Sequence, residues 1–352
     1  MFLIRQATID DGPALLKLAK LVHFINLPAD RDIINKRIVD SRRSFDDAVE
    51  YDHDRVFMFV LEDIATKNVI GTSSIVTHIS WPGHPHVYLK VRRREHFSKD
   101  LQTGQVHLTL QLMADEDGPS EIGGLILAPS YRGHAERLGG QLSLMRFHFI
   151  GLHPDWFSDR ILAEMMGALT PESRNLLWTY LGRRFINLDY AEADRFSQVS
   201  KEFMTSLFPP GEIYASLLPA VARRLIGTVG PETEPAKAML ERLGFKYVGN
   251  VDPFDGGPYL EAKKSDIPIV ATTRRAQLKL LESEPETHAF VSFHGERFRA
   301  VRTGVVDSGD TVAIPREAME AIGAEPGATV GVTPMMPPPS RDASAAAERA
   351  AT

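Results

Sequence analysis

Residues that could bind a phosphate-bearing donor stand together in Tyr131-Arg132-Gly133-His134-Ala135-Glu136-Arg137-Leu138-Gly139-Gly140, between an apolar stretch, Gly123 to Leu127, and a run with helical spacing. Glycines in such a loop let backbone amides approach a pyrophosphate, and the following helix N-terminus favours negative charge. Arg132 and Arg137 would add cationic contacts. Arg132 lies far from Gly139 for a compact loop, so Arg137 with Gly139 and Gly140 fits this role better. The same loop is also ordinary structural punctuation before a helix.

A second group of chemically able residues is Asp252 and Asp255 beside Gly256-Gly257. Two carboxylates there could grip a guanidinium bidentately. They could equally satisfy backbone amides in an Asx-type turn whose glycines take positive φ. His84 and His86 are spaced like a metal pair but lack a third ligand at standard spacing, so the sequence predicts a loop and no metal site. His148 and His153 read as packing or capping residues. With zero cysteines, thiol nucleophiles, thiolate metal sites and disulfides are excluded.

These groups need elements to position them. Phe2 to Ala7 reads as a strand, followed by a helix through Leu15, Leu18 and Val22 and another over about Arg31 to Ser41. Val56 to Leu61 and Val69 to His78 form a hairpin, and His107 to Ala114 and Ile122 to Leu127 are strands. A helix from Leu138 to Phe149, a strand over Ile161 to Leu169, a helix over Ser173 to Leu181 and a strand over Arg184 to Leu188 follow. Beyond them come a helical stretch to Phe208, a strand over Leu225 to Val229, a helix over Glu234 to Leu243 and a strand over Phe245 to Val248. Trp178 to Phe185 and Met239 to Phe245 resemble each other, which suggests a half-repeat. The order is mixed α/β.

Past Ser265 the pattern predicts a charged helix over Arg274 to Glu284, then strands at Phe290 to Phe293, Phe298 to Gly304 and Thr311 to Ile314. Pro315 to Val332 reads helix, turn, strand. This end is similar to small swapped-hairpin DNA-binding modules, but a structural or dimerising β-unit suits an acidic chain better. The alanine-rich end after Pro337-Pro338-Pro339 reads as disordered. The expected organisation is a complete module over 1–190, a partial one over 191–264, a small β-rich segment over 265–336 and a tail over 337–352.

Pro235 to Phe245 resembles the Ala-x-x-Leu-x-x-x-Leu-Gly-Phe ending of acyl-CoA N-acyltransferases, which also place a glycine loop after the strand at Leu125. More specifically, Phe59-Val60-Leu61-Glu62-Asp63, Ser120-Glu121 with Leu125-Ile126-Leu127, Ala163-Glu164-Met165, Leu181 to Phe185 and above all Asp252 to Pro258 resemble arginine N-succinyltransferases, in order, over roughly Met1 to Ala262. The resemblance implies an acyl-CoA N-acyltransferase fold and an acyltransferase that moves a succinyl group from succinyl-CoA to the α-amine of arginine, opening a catabolic route. It implies no permanently bound cofactor. Through it, the backbone at Leu125, on the strand running to Leu127, would meet the acyl donor.

The family's proton-donating histidine falls where this chain has Gly230, in Val229-Gly230-Pro231. Three readings stay open. Glu232 or Glu234 takes the proton, positioning alone suffices, or the chain is a weakly active accessory subunit of a hetero-oligomer. Another amine acceptor is also open. A net charge of −6 argues against nucleic-acid binding, and Arg92-Arg93-Arg94 reads as a solvated turn. No stretch reads as a signal peptide or membrane span, so the expectation is a cytoplasmic enzyme of small-molecule substrates, working as a homo- or hetero-oligomer.

Overall fold

The structure is a computed structural model that describes residues 1–21, 27–170, 175–197 and 200–335. The expected disordered tail lies outside these residues, as do Val22 at the end of the first expected helix and Ser173 at the start of the fourth.

The first half carries β1 (Phe2–Gln6), α1 (Gly12–Lys20), α2 (Arg31–Phe45), β2 (Val56–Asp63), β3 (Asn68–Val76), β4 (His86–Ser98), β5 (Thr103–Asp115), β6 (Ser120–Leu127), α3 (Leu138–Leu152) and β7 (Arg160–Glu164). A helical stretch follows: α4 (Leu176–Tyr180), α5 (Gly182–Phe185), α6 (Tyr190–Ser197) and α7 (Glu202–Leu207). After it come β8 (Ile213–Tyr214), α8 (Ala220–Arg223), α9 (Glu234–Arg242), β9 (Lys246–Val251), β10 (Pro258–Lys263) and α10 (Pro268–Thr272). The chain ends in β11 (Arg274–Leu280), β12 (Thr287–His294), β13 (Phe298–Asp307), β14 (Thr311–Ile314), α11 (Arg316–Ile322) and β15 (Thr329–Met335).

Local chemistry explains most boundaries. Asp30 caps α2 by accepting from the Asp32 and Ile33 amides at 2.9 and 3.1 Å. Pro235 stands in the first turn of α9, where its missing N–H costs nothing. Gly323, in the left-handed conformation, closes α11.

Four elements differ from the sequence expectation. Arg92-Arg93-Arg94 is no turn but the middle of β4, because Val87, Leu89 and Val91 alternate apolar with the partners they meet in β5. Arg274 to Leu280 is a strand rather than a helix: Ala276 and Leu278 are buried while Arg275, Gln277 and Lys279 point out, a period of two. Arg184 lies in the short helix α5, and the expected strand at Leu225 to Val229 contracts to a single bridge between Val229 and Gly167.

The strands form one sheet in the order β12-β15-β11-β14-β13-β1-β2-β3-β6-β7-β10-β9-β4-β5-β8. The C-terminal unit joins it by antiparallel pairing of β13 with β1, Leu3 opposite Val301, and keeps its own apolar cluster under α11. That continuity makes it a structural part of the sheet. β9 and β10 continue the sheet on the far side of β7.

The decisive feature is in the middle. β6 and β7 run parallel but pair only at Ser120 with Ile161 and Glu121 with Leu162, after which they part. The wedge opens toward the N-terminus of α3, which packs across β3 and β6. A mixed sheet split between two central parallel strands, with a loop and helix following the first, is the acyl-CoA N-acyltransferase fold.

Candidate active site

β6 supplies one wall of the wedge. Ala128 donates to the Ile70 carbonyl of β3 at 2.8 Å. Backbone direction alternates along a strand, so Ile126 faces β3 while the amides of Leu125 and Leu127 aim at the open side, where β7 has left. The register with β3 slips next to Gly123 and Gly124, and Gly124 has φ +59, with a Cβ there meeting Ser74 Oγ at 2.7 Å. Only glycine suits that bulge, which sets the direction of Leu125.

α3 supplies the next contact surface. Arg137 takes the left-handed conformation just before the helix, and the first helical bond runs from the Gln141 amide to the Arg137 carbonyl at 3.1 Å. The Leu138, Gly139 and Gly140 amides therefore lack helical partners. The Arg137 guanidinium is exposed and pairs with nothing among the described residues. A Cβ at Gly139 or Gly140 would meet only ordinary contacts, Leu127 at 3.7 Å and Arg137 at 3.9 Å. Packing alone does not demand these glycines. Arg132 is tied across the surface to Glu232, 3.8 Å away.

The opposite face of the seam is acidic. Ile122 packs with Leu142, Met145 and Phe149 on the α3 side, so Glu121 beside it points to the other side of the sheet. Glu164 lies on the neighbouring strand two residues beyond Leu162, the partner of Glu121, and therefore on the same side. Burial favours the protonated form of Glu164, yet its hydrogen bond and charge interaction with His86, at 2.7 Å, and its bond with Tyr259 hold it below the usual carboxylate range. His86, 5 % exposed, stacks on Tyr259. Burial and then the charge of Glu164 push Glu121 up to about 8, against the pull of Lys201, Arg37 and Arg146. Two neighbouring carboxyls with opposite shifts form an acid/base pair poised to hold one proton.

Further acids line this side. Burial and the charge of Glu164 push Asp252 up to about 6, and burial and Asp252 push Asp194 up to about 7. Asp194 Oδ1 is enclosed without a hydrogen-bond partner among the described residues.

The Asp252 to Pro258 segment forms the turn that clamps this wall. Asp252 Oδ1 accepts from the Phe254 and Asp255 amides at 2.7 and 2.9 Å, an Asx turn. Asp255, 2 % exposed, accepts from Gly257 through one oxygen at 2.7 Å and from Gly167, beyond the end of β7, through the other at 2.8 Å. Both Asp255 oxygens are thus engaged by backbone, while Asp252 keeps its second oxygen.

The family assignment rests on whole-chain similarity as well as on this geometry. Residues 2–269 match the family model described as arginine N-succinyltransferase beta subunit, and residues 274–334 match that of its C-terminal domain. The chain belongs to the arginine N-succinyltransferase family. Among members of this family, a Yersinia pestis arginine N-succinyltransferase is 32 % identical over 295 residues, covering 81 % of this chain and 83 % of the relative. One from Shigella boydii is 34 % identical over 289 residues, with 81 % and 82 % covered. Subunit AI of the arginine/ornithine succinyltransferase of Pseudomonas aeruginosa superposes with a TM-score of 0.82 at 28 % identity, covering 95 % of this chain and 98 % of that one.

Against this family frame, the sequence-derived candidates fall in three places. Leu125, Leu127, Gly139, Gly140 and Arg137 gather around the wedge, and Asp252 and Asp255 close its acidic side. Glu232 and Glu234 are exposed at the start of α9, apart from the buried carboxyls, and Gly230 is buried where the chain bridges to Gly167. A Cβ on Gly230 would sit 3.5 Å from the Gly167 carbonyl oxygen, ordinary contact, so a side chain can begin there. Glu121 and Glu164 were not singled out by spacing, and their visible mark is one carboxylate near the end of each of two short, mainly apolar strands. His86, expected in a loop beside His84, instead opens β4. No cluster of potential metal ligands occurs among the described residues, and no helix among them is long and apolar enough to cross a membrane.

The raised carboxyls set a pH dependence of stability. A carboxyl whose folded pKa exceeds its unfolded value of about 4 stabilises below the unfolded value and loses that contribution as pH rises through the folded one. Burial lowers His148 to about 3 and His153 to about 4, which has the opposite sign and acts only below about pH 6.5. From about pH 6.5 to 8 only the carboxyls remain active. The ligand-free protein is expected to lose about 1–2 kcal/mol over that range, measured by urea denaturation, with Glu121→Gln flattening the slope.

Proposed function

We propose that this chain transfers the succinyl group of succinyl-CoA to the α-amine of arginine by direct attack, without a covalent enzyme intermediate. The observation that carries the reading is the split between β6 and β7, with open strand amides and a bare helix N-terminus on one side and a carboxyl-rich face on the other. The pyrophosphate of the donor lies on the Leu138 to Gly140 amides with Arg137 beside it. The thioester carbonyl accepts from the backbone near Leu125, which stabilises the oxyanion when nitrogen adds to carbon. The carbon–sulfur bond then breaks and CoA leaves as a thiolate that takes up a proton.

Glu121 accepts the proton of the attacking ammonium. Its raised pKa suits a base working near neutrality, and it sits on the strand that carries Leu125. Glu232 and Glu234 are both exposed, at the start of α9 and away from the seam. Glu164 and the second oxygen of Asp252 offer negative charge to the guanidinium, whereas Asp255 holds the turn. The Pseudomonas relative is described as acting with arginine and ornithine, so a shorter cationic acceptor is the second reading here. That relative is also described as a subunit, which supports an oligomeric enzyme. A cytoplasmic site of action suits a consumer of acyl-CoA.

The test is mass-spectrometric detection of acylated product from the purified chain with succinyl-CoA and, in parallel, arginine, ornithine, lysine and simple amines. Product with arginine supports the reading. Product from another amine only would assign a different acceptor. Clear acyl-CoA binding without any product would make the chain an accessory subunit.

The helix glycines give a separate test. Gly139→Ala restricts the backbone in the first turn of α3 and fits sterically, so stability is expected to hold or rise by up to about 0.4–1 kcal/mol. The methyl group holds the pyrophosphate off the amides, and the donor KM is expected to rise about tenfold. A lower Tm with unchanged KM would reverse the assignment.

A further inference from the structure

The β4–β5 hairpin leaves the body of the molecule. β9 pairs with β4 only at Leu89 and Lys90, and β8 with β5 only at Thr109 and Leu110, yet the hairpin itself stays in register out to Ser98 opposite Thr103. The free part is an arm about 27 Å long at the usual strand rise. Arg92 and Arg94 are tied to Glu212, and Tyr214 Oη lies 3.2 Å from His96 Nε2, so the opposite face of the arm is braced as far out as His96.

One face of the arm is largely apolar where nothing covers it, with Arg93 and Glu95 as its two charged residues, opposite Leu108 and Val106. Leu89 and Leu110, fully buried against Trp178, Phe203 and Leu218, lie on the face that packs under α4, α7 and α8. Alternation carries that face outward through Leu108, Val106 and Phe97 to Leu101 at the tip. These four are 39, 60, 64 and 76 % exposed. A core face that runs on past its cover into water is a contact surface without its partner. Beside the arm's base, Leu207 and Leu217 are 55 and 80 % exposed.

We propose that this arm is a dimerisation element and that its partner is the arm of a second copy of this chain, the two packed face to face and antiparallel about a two-fold axis. This rests on, and sharpens, the reading of an oligomeric enzyme. Three observations select a second copy. In an antiparallel pair each tip reaches the other copy's exposed Leu207 and Leu217, so the apolar surfaces are self-complementary, as an isologous contact requires. The segment 91–108 carries four cations against two anions in a chain of net charge −6. With the axis near the middle of the arm, Arg93 on one copy comes opposite Glu95 of the other, both on the packed face. A face two strands wide and about 27 Å long on each copy buries about 1,200 Å² in total, the lower end for a stable interface.

Sedimentation velocity of the full chain at micromolar concentration tests this, beside Phe97→Asp/Val106→Asp and Arg93→Glu. The wild type is expected to sediment as a dimer, and the double variant as a monomer with unchanged circular dichroism. Arg93→Glu, which leaves the apolar stripe intact, is expected to raise the dimer dissociation constant about tenfold and covers the case in which the double variant fails to fold. A dimer indifferent to both changes would overturn the arm's role and leave the oligomeric reading standing. A monomeric wild type that is fully active with succinyl-CoA and arginine would overturn both. A monomer that pairs only with a different chain would assign the arm to that partner and overturn the proposal.

Discussion

Glu121→Gln is expected to lower kcat by about two to three orders of magnitude while leaving the donor KM within about twofold, the loss usual for a positioned general base. The substitution keeps shape and removes the one group on β6 that can take a proton near neutrality. Glu164 cannot replace it, because His86 and Tyr259 hold that carboxyl ionised below the usual range. The wild-type rate should also rise with pH toward the value near 8 to which burial and Glu164 push Glu121, and the variant should lose that limb. His86→Gln offers a check: without it Glu164 shifts upward, the pair shares its proton differently, and the limb should move rather than vanish. An unchanged kcat and pH profile in Glu121→Gln would return the base role to solvent or to the exposed Glu232 and Glu234.

Gly257→Ala is expected to be the most destabilising single methyl in the site. Its Cβ would fall 1.8 Å from the Met165 carbonyl oxygen and 2.7 Å from the Gly167 amide nitrogen. Both neighbours are backbone, so no side chain can swing away. The β9–β10 turn must lift off the end of β7, and the two Asp255 bonds to Gly167 and Gly257 go with it. A loss of about 4 kcal/mol or more follows, seen as a fall in Tm of about 5 °C or more. A soluble variant with wild-type Tm would show that the turn does not set the wedge.

How much of this was legible in the sequence differs by the kind of physics involved. The hairpin of β2 and β3, the helix α3 and the helix α9 were readable because apolar spacing and caps are local. β4 and β11 were misread because cations interrupt them, and their strand character depends on partners far along the chain: Leu89 meets Leu112, and Arg274 meets Val332. The loop before α3 and the turn at Asp252 to Pro258 announced themselves by composition, but only the structure separates their duties. Asp255 spends both oxygens on backbone amides, which no spacing rule reveals. Glu121 and Glu164 escaped notice because their meaning comes from adjacency across two strands forty residues apart. The shift in Glu121 arises from burial and that neighbour, neither of which is local.

Gly230 stays the point where sequence and chemistry press hardest on each other. Where the family resemblance expects a histidine, this chain has a buried glycine with room for a side chain. The tuned carboxyl on β6 is the physical alternative.

The central claim is met most directly by incubating the purified chain alone with succinyl-CoA and arginine and following free CoA thiol and product mass together. Equal formation of thiol and α-N-succinylarginine is the expected result. Bound succinyl-CoA with no product, or thiol released without acylated arginine, would contradict it.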